Sequence, residues 1–328
     1  MRAETSAWFG PLMWTLNSLD VSIVICAYTE ARWEQLLACV ESVQRQTVPC
    51  KEIIVVVDYN PRLLDRACMQ FPGVMVIPNR EPRGLAGARN TGVAAAGGDV
   101  IAFIDEDAVA APDWLSRLGE HYHDPKVLGV GGAILPVWQV ARPRWFPDEF
   151  LWVVGCTYRG MPVTTAPVRN LIGCNMSFRR AAFDRAGGFT NGLGGLETLP
   201  FGCEETEFCI RARQQLPDRE LLYQPDAVVH HRVPRVRATR KYFLARCASE
   251  GRSKAMVARL VGSERALESE RSFVVKTLTR GIAAGLVESA ARRGPDGVLR
   301  ALAIVAGLAW TAIGYFRGEV TDRHATQR

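Results

Sequence analysis

Three consecutive carboxylates, Asp105, Glu106 and Asp107, follow an apolar run at residues 100–104. The length of the run and its β-branched residues predict a buried strand that ends where the acids begin. Carboxylate oxygens are ligands that Mg²⁺ and Mn²⁺ prefer, and such an ion commonly bridges carboxylates and substrate phosphates. A solvated turn at a helix N-terminus would also accept three acids. The position at the end of a strand favours a metal–diphosphate site.

A second acidic group, Glu204 and Glu205, stands beside Gly202 at the start of a helical pattern. The helix dipole favours acids in a first turn, and Glu207 and Arg211 are spaced for an i, i+4 ion pair. This structural interpretation explains Glu207 and Arg211. It does not explain the two adjacent acids, which therefore remain candidates for chemistry.

The elements that must position these acids are strands alternating with helices. Apolar runs at 21–26, 52–57 and 74–77 read as buried strands, and the apolar residues after the first run recur at helical spacing. A glycine-rich stretch at 84–92 follows, in which Arg83 or Arg89 could pair with a diphosphate. The alternation predicts an α/β fold with a Rossmann-like, doubly wound, mostly parallel sheet whose loops gather on one edge.

Composition and charge narrow the class of protein. With 328 residues, 48% hydrophobic and 23% charged, the chain can bury a sizeable core and is neither disordered nor fibrous. Its nine cysteines form no paired C-x-x-C motifs, which favours reduced thiols in a cytosolic setting over a disulfide framework. The segment 232–300 holds 16 Lys and Arg against 6 Asp and Glu. In the absence of a nucleic-acid-binding motif, this basic region predicts a phosphorylated substrate or an anionic lipid surface as partner, and no nucleic acid.

Ordered motifs across about residues 19–231 resemble the family 2 glycosyltransferases, which have the GT-A fold. The motifs are VSIVICAYTE, IIVVVD, GLAGARNTG, FIDED, IGCNMSFRR, GGF and GCEETEFCIR. Each motif alone is common, but their order is specific. The resemblance implies a GT-A fold with a C-terminal helical appendage, and transfer of a sugar from a nucleotide-diphosphate sugar.

The resemblance also implies the residues that bind the nucleotide-sugar donor. Mapped onto this sequence they are Ala27, Tyr28, Glu30, Asp58, Arg83, Asp99, Asp105, Glu106 and Asn175. Glu30 has an alternative role as a helix cap, and Asn175 an alternative role in a turn.

The D-x-D pattern of the family maps onto Asp105 and Asp107, which implies bound Mg²⁺ or Mn²⁺. His230 ends a strand-like run and is expected to reach the metal, although a structural role for it stays open. The acid pair of the family maps onto Glu204 and Glu205, and the second residue is the expected general base. This chain has Glu where Asp is common, so Glu204 remains an alternative base.

These assignments predict an inverting, metal-dependent glycosyltransferase that uses a UDP-sugar and a lipid-linked or polysaccharide acceptor. Two alternatives remain: an inactive GT-A scaffold that binds nucleotide or glycan, and a nucleotidyltransferase. The intact acids disfavour the scaffold. The loop after the first strand lacks the Lys-containing phosphate-binding sequence of a nucleotidyltransferase.

The chain divides into an N-terminal arm (1–19), a glycosyltransferase domain (20–232) and a basic helical region (233–328). Within the last region, residues 298–316 are almost wholly apolar and approach the ~20 residues that span a bilayer. We expect contact with the inner face of the cell membrane. A spanning helix, a helix lying in the interface and a helix packed on the domain all remain possible. The glycine-rich segment 192–199 is interpreted as a lid or a long surface loop.

Overall fold

The computed structural model describes residues 19–193, 202–262, 273–292 and 294–323. The predicted arm, except for Leu19, and most of the predicted lid lie outside the described residues. The strands are β1 (Val21–Ala27), β2 (Glu52–Val57), β3 (Met75–Pro78), β4 (Val100–Asp105), β5 (Ala108–Ala110), β6 (Val127–Trp138), β7 (Ala166–Val168), β8 (Asn175–Arg179) and β9 (Glu220–Val233). The first three predicted strands and the strand before the acids are all present.

These strands form one sheet in the order β3-β2-β1-β4-β8-β6-β9-β5, with β7 paired to β9. The half from β3 to β4 is parallel, β8 runs antiparallel to both of its neighbours, and β6 and β9 are parallel. The register places Asp105 opposite Cys26 and Ala27 opposite Val57. The carboxyl ends of β1, β2 and β4 therefore meet at one edge, and the predicted α/β fold class is confirmed.

Helices cover both faces of the sheet. In chain order they are α1 (Trp33–Gln44), α2 (Pro61–Gln70), α3 (Leu85–Ala95), α4 (Trp114–Gly119), α5 (Arg180–Ala186), α6 (Glu204–Gln215), α7 (Arg240–Val261), α8 (Thr279–Arg292) and α9 (Asp296–Arg323). Helix α1 buries its apolar residues at the predicted helical spacing. Helix α3 lies directly on β1. This close approach needs a glycine at position 92, because a Cβ there would collide with Val24. The close packing of α3 on β1 fixes the position of the preceding loop at the edge of the sheet, and this loop carries Arg83.

The C-terminal helices pack back onto the main body. Phe243 of α7 is buried against Phe146 and Phe150, with ring centroids 5.4 Å apart in both pairs. Helix α9 crosses α7 with the two backbones in contact. Glycines make this contact possible: a Cβ at Gly251 would collide with the carbonyl of Thr311, and a Cβ at Gly314 would collide with the carbonyl of Ala248. The C-terminal region thus shares the main core, and a domain boundary at residue 232 stays a prediction.

Within the described ranges, one helix is long and apolar enough to cross a membrane. It is α9, whose stretch Asp296–Glu319 has a mean hydropathy of 1.7, with only 28% of its most apolar window buried. The predicted apolar helix is therefore present. Its contact with α7 covers one side, while Leu302, Val305 and Phe316 are exposed on the remainder.

Candidate active site

A large cleft opens at the carboxyl edge of the sheet. Its volume is about 1460 Å³, above the ~300–1,000 Å³ typical of a pocket for one small ligand. One side is formed by the loops after β1, β2 and β4 and by the start of α6. The other side is formed by α7, the π-helix Phe273–Leu278 and α9. The cleft has room for two substrates side by side.

The acids after β4 lie in the cleft. His231 Nε2 is 3.3 Å from Asp107 Oδ1, and Arg32 Nη1 is 3.2 Å from Asp107 Oδ2. Burial by itself would raise the pKa of Asp107, but the hydrogen bond and charge of His231, with the charges of Arg32 and Arg237, hold this pKa well below its usual range. Asp107 is therefore an ionised carboxylate.

The strand that supplies His231 also shows that the metal role given to His230 is wrong. Side chains alternate along a strand, so His230 and His231 point to opposite faces of β9. His231 is buried, lines the cleft and contacts Asp107, whereas His230 is exposed and does not line the cleft. The sequence pair alone gave no means of choosing between the two faces.

Asp107 and His231 fit a divalent ion. Two neighbouring ligands at ~2.1 Å in an octahedral shell stand ~3 Å apart, close to the 3.3 Å between His231 Nε2 and Asp107 Oδ1. No cluster of three or more metal-binding side chains occurs in the described part of the chain. Mg²⁺ is usually bound by one or two carboxylates together with substrate phosphates, so a two-residue site completed by a diphosphate is chemically consistent.

Glu106 lies between the two aspartates and is buried. Its Oε1 accepts a hydrogen bond from Arg32 Nη1 at 3.1 Å. Burial is the main cause that raises the pKa of Glu106, to about 8, against the opposing charge of Arg32. Among the described residues its Oε2 has no hydrogen-bond partner. A buried carboxyl oxygen without a partner, in the wall of the cleft, is suited to a polar group on a ligand.

Arg89 joins the two acidic groups, a role that the sequence did not reveal. The side chain is buried, with Nη1 2.8 Å from Glu204 Oε1 and Nη2 3.3 Å from Asp105 Oδ1. Nη2 also donates to the carbonyl of Gly173 at 3.1 Å. Arg89 is thus engaged by two carboxylates, and of the two arginines suggested for a diphosphate, Arg83 is the better placed.

We expect Arg89→Met to destabilise the protein strongly. Removal of the guanidinium would leave the buried Glu204 carboxylate unpaired, and breaking a buried pair typically costs about 3–5 kcal/mol. Urea denaturation would measure the loss in the free energy of unfolding. Arg45→Met is the matched control, because the Arg45–Glu41 pair is highly exposed and should contribute no more than about 1 kcal/mol. Equal stability of the two variants would contradict a structural role for Arg89.

The two glutamates at the start of α6 have different surroundings. Both glutamates line the cleft, but Glu204 is buried and paired with Arg89, whereas Glu205 is half-buried. Burial first, and the charge of Glu204 second, raise the pKa of Glu205 to about 8, although Arg89 opposes them. A carboxyl with a near-neutral pKa is suited to act as a general base, whereas Glu204 is held as the partner of Arg89.

Helix α7 holds the peptide that leads into Glu205. Cys203 has a φ of 84°, a left-handed conformation that a non-glycine residue adopts at some energetic cost. Its Sγ donates to Glu250 Oε1 at 3.5 Å, and the amide of Gly202 donates to Ser253 Oγ at 3.4 Å. Both partners belong to α7, so the C-terminal region stabilises the position of the candidate base.

Part of the predicted nucleotide site is assembled in the cleft. Ala27, Tyr28, Asp58 and Arg83 all line it. Asp58 accepts hydrogen bonds from Asn79 Nδ2 at 2.6 Å and from the amide of Gly84 at 3.0 Å. The carboxylate is thereby fixed in orientation beside the glycine-rich loop.

Glu30 does not belong to this group. It is exposed in the 3₁₀ turn after β1 and does not line the cleft. Thr29, not Glu30, caps the turn by accepting from the amide of Ala31. The assignment of Glu30 to the nucleotide site is therefore wrong on geometric grounds.

Asp99 is also misplaced by the sequence analysis. It precedes β4, whereas Asp105 ends the same strand. Six strand residues extend ~20 Å, so Asp99 lies at the opposite edge of the sheet, where its side chain is exposed. It cannot contact a nucleotide in the cleft.

Asn175 is a structural residue. It is completely buried, and its Nδ2 donates to the carbonyls of Ala133 and Ala227 at 2.9 and 2.8 Å. Its Oδ1 accepts from Trp114 Nε1 at 2.8 Å. Both amide donors are used and the residue does not line the cleft, so the predicted role of Asn175 in binding the donor sugar is wrong.

The other ion pair expected in α6 is confirmed. Arg211 Nε is 2.6 Å from Glu207 Oε1. The same guanidinium donates to the carbonyl of Gly188, and Thr190 Oγ1 donates to Glu207. This part of the helix serves the packing of α6 and leaves the chemistry to its first turn.

Comparison with known sequences identifies relatives of this chain. The model of the family described as "Glycosyl transferase family 2" matches residues 22–187. The glucosyl-dolichyl phosphate glucuronosyltransferase of Haloferax volcanii is 36% identical over 240 residues, which cover 72% of this chain and 76% of that protein. The succinoglycan biosynthesis protein ExoM of Rhizobium meliloti is 25% identical over 246 residues, covering 72% and 74% of the two chains.

Solved structures share the fold. The mannosyltransferase PcManGT of Pyrobaculum calidifontis, solved with GDP-Man and Mn²⁺, superposes with a TM-score of 0.57 at 19% identity, over 91% of this chain and 87% of that one. GalNAc-T7, solved with UDP, GalNAc and Mn²⁺, gives a TM-score of 0.51 at 22% identity, over 65% and 43%. The sheet is thus that of GT-A glycosyltransferases. Since the family model spans half of the sequence and a relative matches most of it, the chain belongs to glycosyl transferase family 2.

Proposed function

We propose that this glycosyltransferase transfers a sugar, with inversion, from a nucleotide-diphosphate sugar to a hydroxyl of a lipid-linked sugar or a polysaccharide, with Mg²⁺ or Mn²⁺. The observation that carries the proposal is the presence, in one cleft, of the Asp107–His231 pair and of Glu205, a carboxyl beside Glu204 that is not used in an ion pair with Arg89. The named activity of the Haloferax volcanii relative supports a lipid-linked acceptor. The UDP and the GDP-Man in the related structures support a nucleotide-diphosphate sugar as donor, and we propose a UDP-sugar. The Mn²⁺ in the related structures supports a divalent ion.

The donor would occupy the sheet side of the cleft. Asp58 is fixed beside Ala27 and Tyr28, where its carboxylate can accept from the base or ribose of the nucleotide, and Arg83 can pair with the diphosphate. Asp107 and His231 would hold the ion. When bound, such an ion stabilises the negative charge that develops on a departing nucleoside diphosphate.

The acceptor would enter from the side formed by α7 and α9. Glu205 Oε accepts the proton of the acceptor hydroxyl as the oxygen attacks the anomeric carbon, in a single displacement that inverts the configuration. Arg89 fixes Glu204 next to it. The negative charge of Glu204 helps to keep Glu205 basic, as the raised pKa of Glu205 indicates.

A panel of nucleotide sugars tests this proposal. With Mn²⁺ or Mg²⁺ present, one donor should raise the melting temperature and slowly release its nucleoside diphosphate. A nucleotidyltransferase would instead release pyrophosphate from a nucleoside triphosphate supplied together with a sugar phosphate, and it would release no nucleoside diphosphate from the panel. Metal-dependent binding without release, even with membrane extract as acceptor, would support an inactive scaffold.

The transfer rate should depend on pH through Glu205. Its pKa is raised above the usual range, so the basic carboxylate accumulates as pH rises through about 8. We expect single-turnover transfer to increase between pH 6.5 and 9, by up to about tenfold per pH unit on the acidic side. Donor affinity, measured by calorimetry over the same range, is the control. A flat rate profile would remove Glu205 as the base.

The cytoplasmic face of the cell membrane is the proposed location. Helix α9 exposes apolar residues, and its length and composition would suit contact with lipid. An acceptor linked to lipid would also be found there. Removal of residues 294–328 should shift the protein from the membrane fraction to the soluble fraction, and an unchanged distribution would contradict this location.

A further inference from the structure

The two sides of the cleft have opposite charge. On the side of the sheet and α6, six carboxylates face four arginines. On the side formed by residues after β9, five cations face one carboxylate, Glu250. A bound divalent ion and a donor diphosphate belong to the acidic side. The basic side therefore has a surplus of positive charge that the donor does not use, and it is suited to a second anion.

The cations nearest to the candidate base lie on one stripe of α7. Arg246 and Lys254 flank Glu250 at i, i+4 spacing, with Nη1 2.9 Å and Nζ 3.3 Å from its two carboxylate oxygens. Glu250 also accepts from Cys203, two residues before Glu205. The stripe is therefore held directly against the start of α6. Lys276 and Arg280, which are exposed, extend the positive charge outward from it.

Helix α9 forms the apolar part of the same wall. Residues at 308, 311, 312, 315 and 316 line the cleft, a helical spacing that puts them on one face. Phe273 and Val274 continue the apolar surface on the neighbouring π-helix. The wall thus changes from cationic beside Glu205 to apolar farther away.

This apolar surface does not end inside the cleft. Phe316 lines the cleft and is 64% exposed, so it connects the interior wall with the exposed apolar side of α9. A water-soluble polysaccharide would gain nothing from such a surface, whereas a hydrocarbon chain would be partly removed from water along it.

We propose that the basic side of the cleft is an acceptor subsite for a lipid phosphate: the phosphate lies against Arg246 and Lys254, and the hydrocarbon chain runs along α9 past Phe316. This inference rests on the proposed function and specifies its acceptor as an amphiphile with a phosphate next to the reacting sugar. It also explains why the base is positioned by α7, the helix that would hold the acceptor.

Binding of farnesyl phosphate to the full-length protein in mild detergent tests the subsite without turnover. Titration followed by the quenching of tryptophan fluorescence should give saturable binding. Farnesol and inorganic phosphate should each bind at least about tenfold more weakly, because each lacks one half of the ligand. Equal binding of inorganic phosphate would reduce the subsite to an anion site, and equal binding of farnesol would reduce it to apolar partition; either result overturns the proposal.

Matched variants locate the ligand. Lys254→Gln should weaken farnesyl phosphate binding about tenfold or more, since a charge-assisted hydrogen bond is lost. Lys241→Gln, an exposed residue on the same helix outside the cleft, should leave binding unchanged. Lys276→Gln is a second cleft variant on an exposed side chain, in case Lys254→Gln perturbs the fold. Equal affinities for all three variants would overturn the phosphate position.

The position of the chain is tested by Phe316→Gln against Leu302→Gln. Both residues lie on α9 and are similarly exposed, at 64% and 60%, but only Phe316 lines the cleft. Phe316→Gln should weaken binding of farnesyl phosphate by about fivefold to tenfold, and Leu302→Gln should not. Equal effects would place the chain elsewhere. Donor-dependent release of nucleoside diphosphate by the wild-type protein needs no acceptor lipid and tests the proposed function separately, so failure of the subsite remains distinguishable from failure of the proposed function.

Discussion

Glu205→Gln should abolish sugar transfer while leaving donor binding intact. A positioned general base typically contributes about 10²–10⁴-fold to the rate, and glutamine has the shape of glutamate but cannot accept the proton. Single-turnover transfer to a membrane-extract acceptor measures the loss, and calorimetry with the donor and Mn²⁺ measures binding. Retention of more than about a tenth of the transfer rate would show that another group removes the proton.

The stability of the same variant gives an independent check. The pKa of Glu205 is raised to about 8, so between pH 4.5 and 8 the folded protein keeps a proton that the unfolded chain has lost. This group therefore makes the fold less stable as pH rises through that interval. Glu205→Gln should remove this part of the pH dependence and melt no lower than the wild type at pH 8. A variant that loses transfer by misfolding would melt lower.

Glu204→Gln distinguishes the two glutamates. Glu204 is paired with the buried Arg89, so its neutralisation should lower the melting temperature, because Arg89 would keep only the partly exposed Asp105 as an anionic partner. We expect part of the transfer activity to survive in the fraction that folds. Loss of transfer in Glu204→Gln with an unchanged melting temperature, and its retention in Glu205→Gln, would exchange the two roles.

The parallel half of the sheet could be predicted because local signals there agree with one another. The runs that form β1, β2 and β4 are continuous apolar segments of strand length, which is typical of strands buried on both faces. Parallel strands place their carboxyl ends on one edge whatever the exact register. Asp58 and Asp107 therefore line one cleft, as their positions after β2 and β4 indicate, while their binding roles stay predictions.

Errors arose where function depends on the direction of a side chain. His230 and His231 are equivalent by type, and only the pairing of β5 with β9 determines which of them faces Asp107. Asn175 is a residue type that suits turns, but it begins β8 and its amide donates to backbone carbonyls distant in sequence. Such contacts leave no periodic signal in the sequence.

Long-range contacts also explain why the sequence predicted the role of the C-terminal region only in part. The sequence predicted a basic helix and an apolar helix, both of which are present as α7 and α9. Their crossing depends on Gly251 and Gly314 meeting backbone atoms 60 or more residues away in sequence. Only this crossing turns the two helices into a wall of the cleft. The ion pairs of Arg89 could not be predicted for the same reason, because its partners Asp105 and Glu204 lie far apart in the chain.

Asp107→Asn should eliminate the part of nucleotide affinity that depends on metal. Asparagine keeps the size of the side chain but removes the charge, and an ion bound through one or two carboxylates loses its main protein ligand. We expect the affinity for a nucleoside diphosphate in Mn²⁺ to fall by at least about 100-fold, with little change in the absence of metal. Calorimetry with and without EDTA separates the two contributions.

The two histidines provide a matched pair for the same experiment. His231→Gln should lower the metal-dependent affinity in the same way, because Nε2 is 3.3 Å from Asp107 Oδ1. His230→Gln should have no effect, because His230 is exposed on the other face of β9. An equal loss in both variants would mean that β9 itself had been disturbed. A loss only in His230→Gln would require a different register between β5 and β9, and with it a different cleft. Asp107 lies in the turn between β4 and β5, and His231 lies on β9. Loss of metal dependence in Asp107→Asn and His231→Gln alone would therefore support both the chemistry and the fold that brings these residues together.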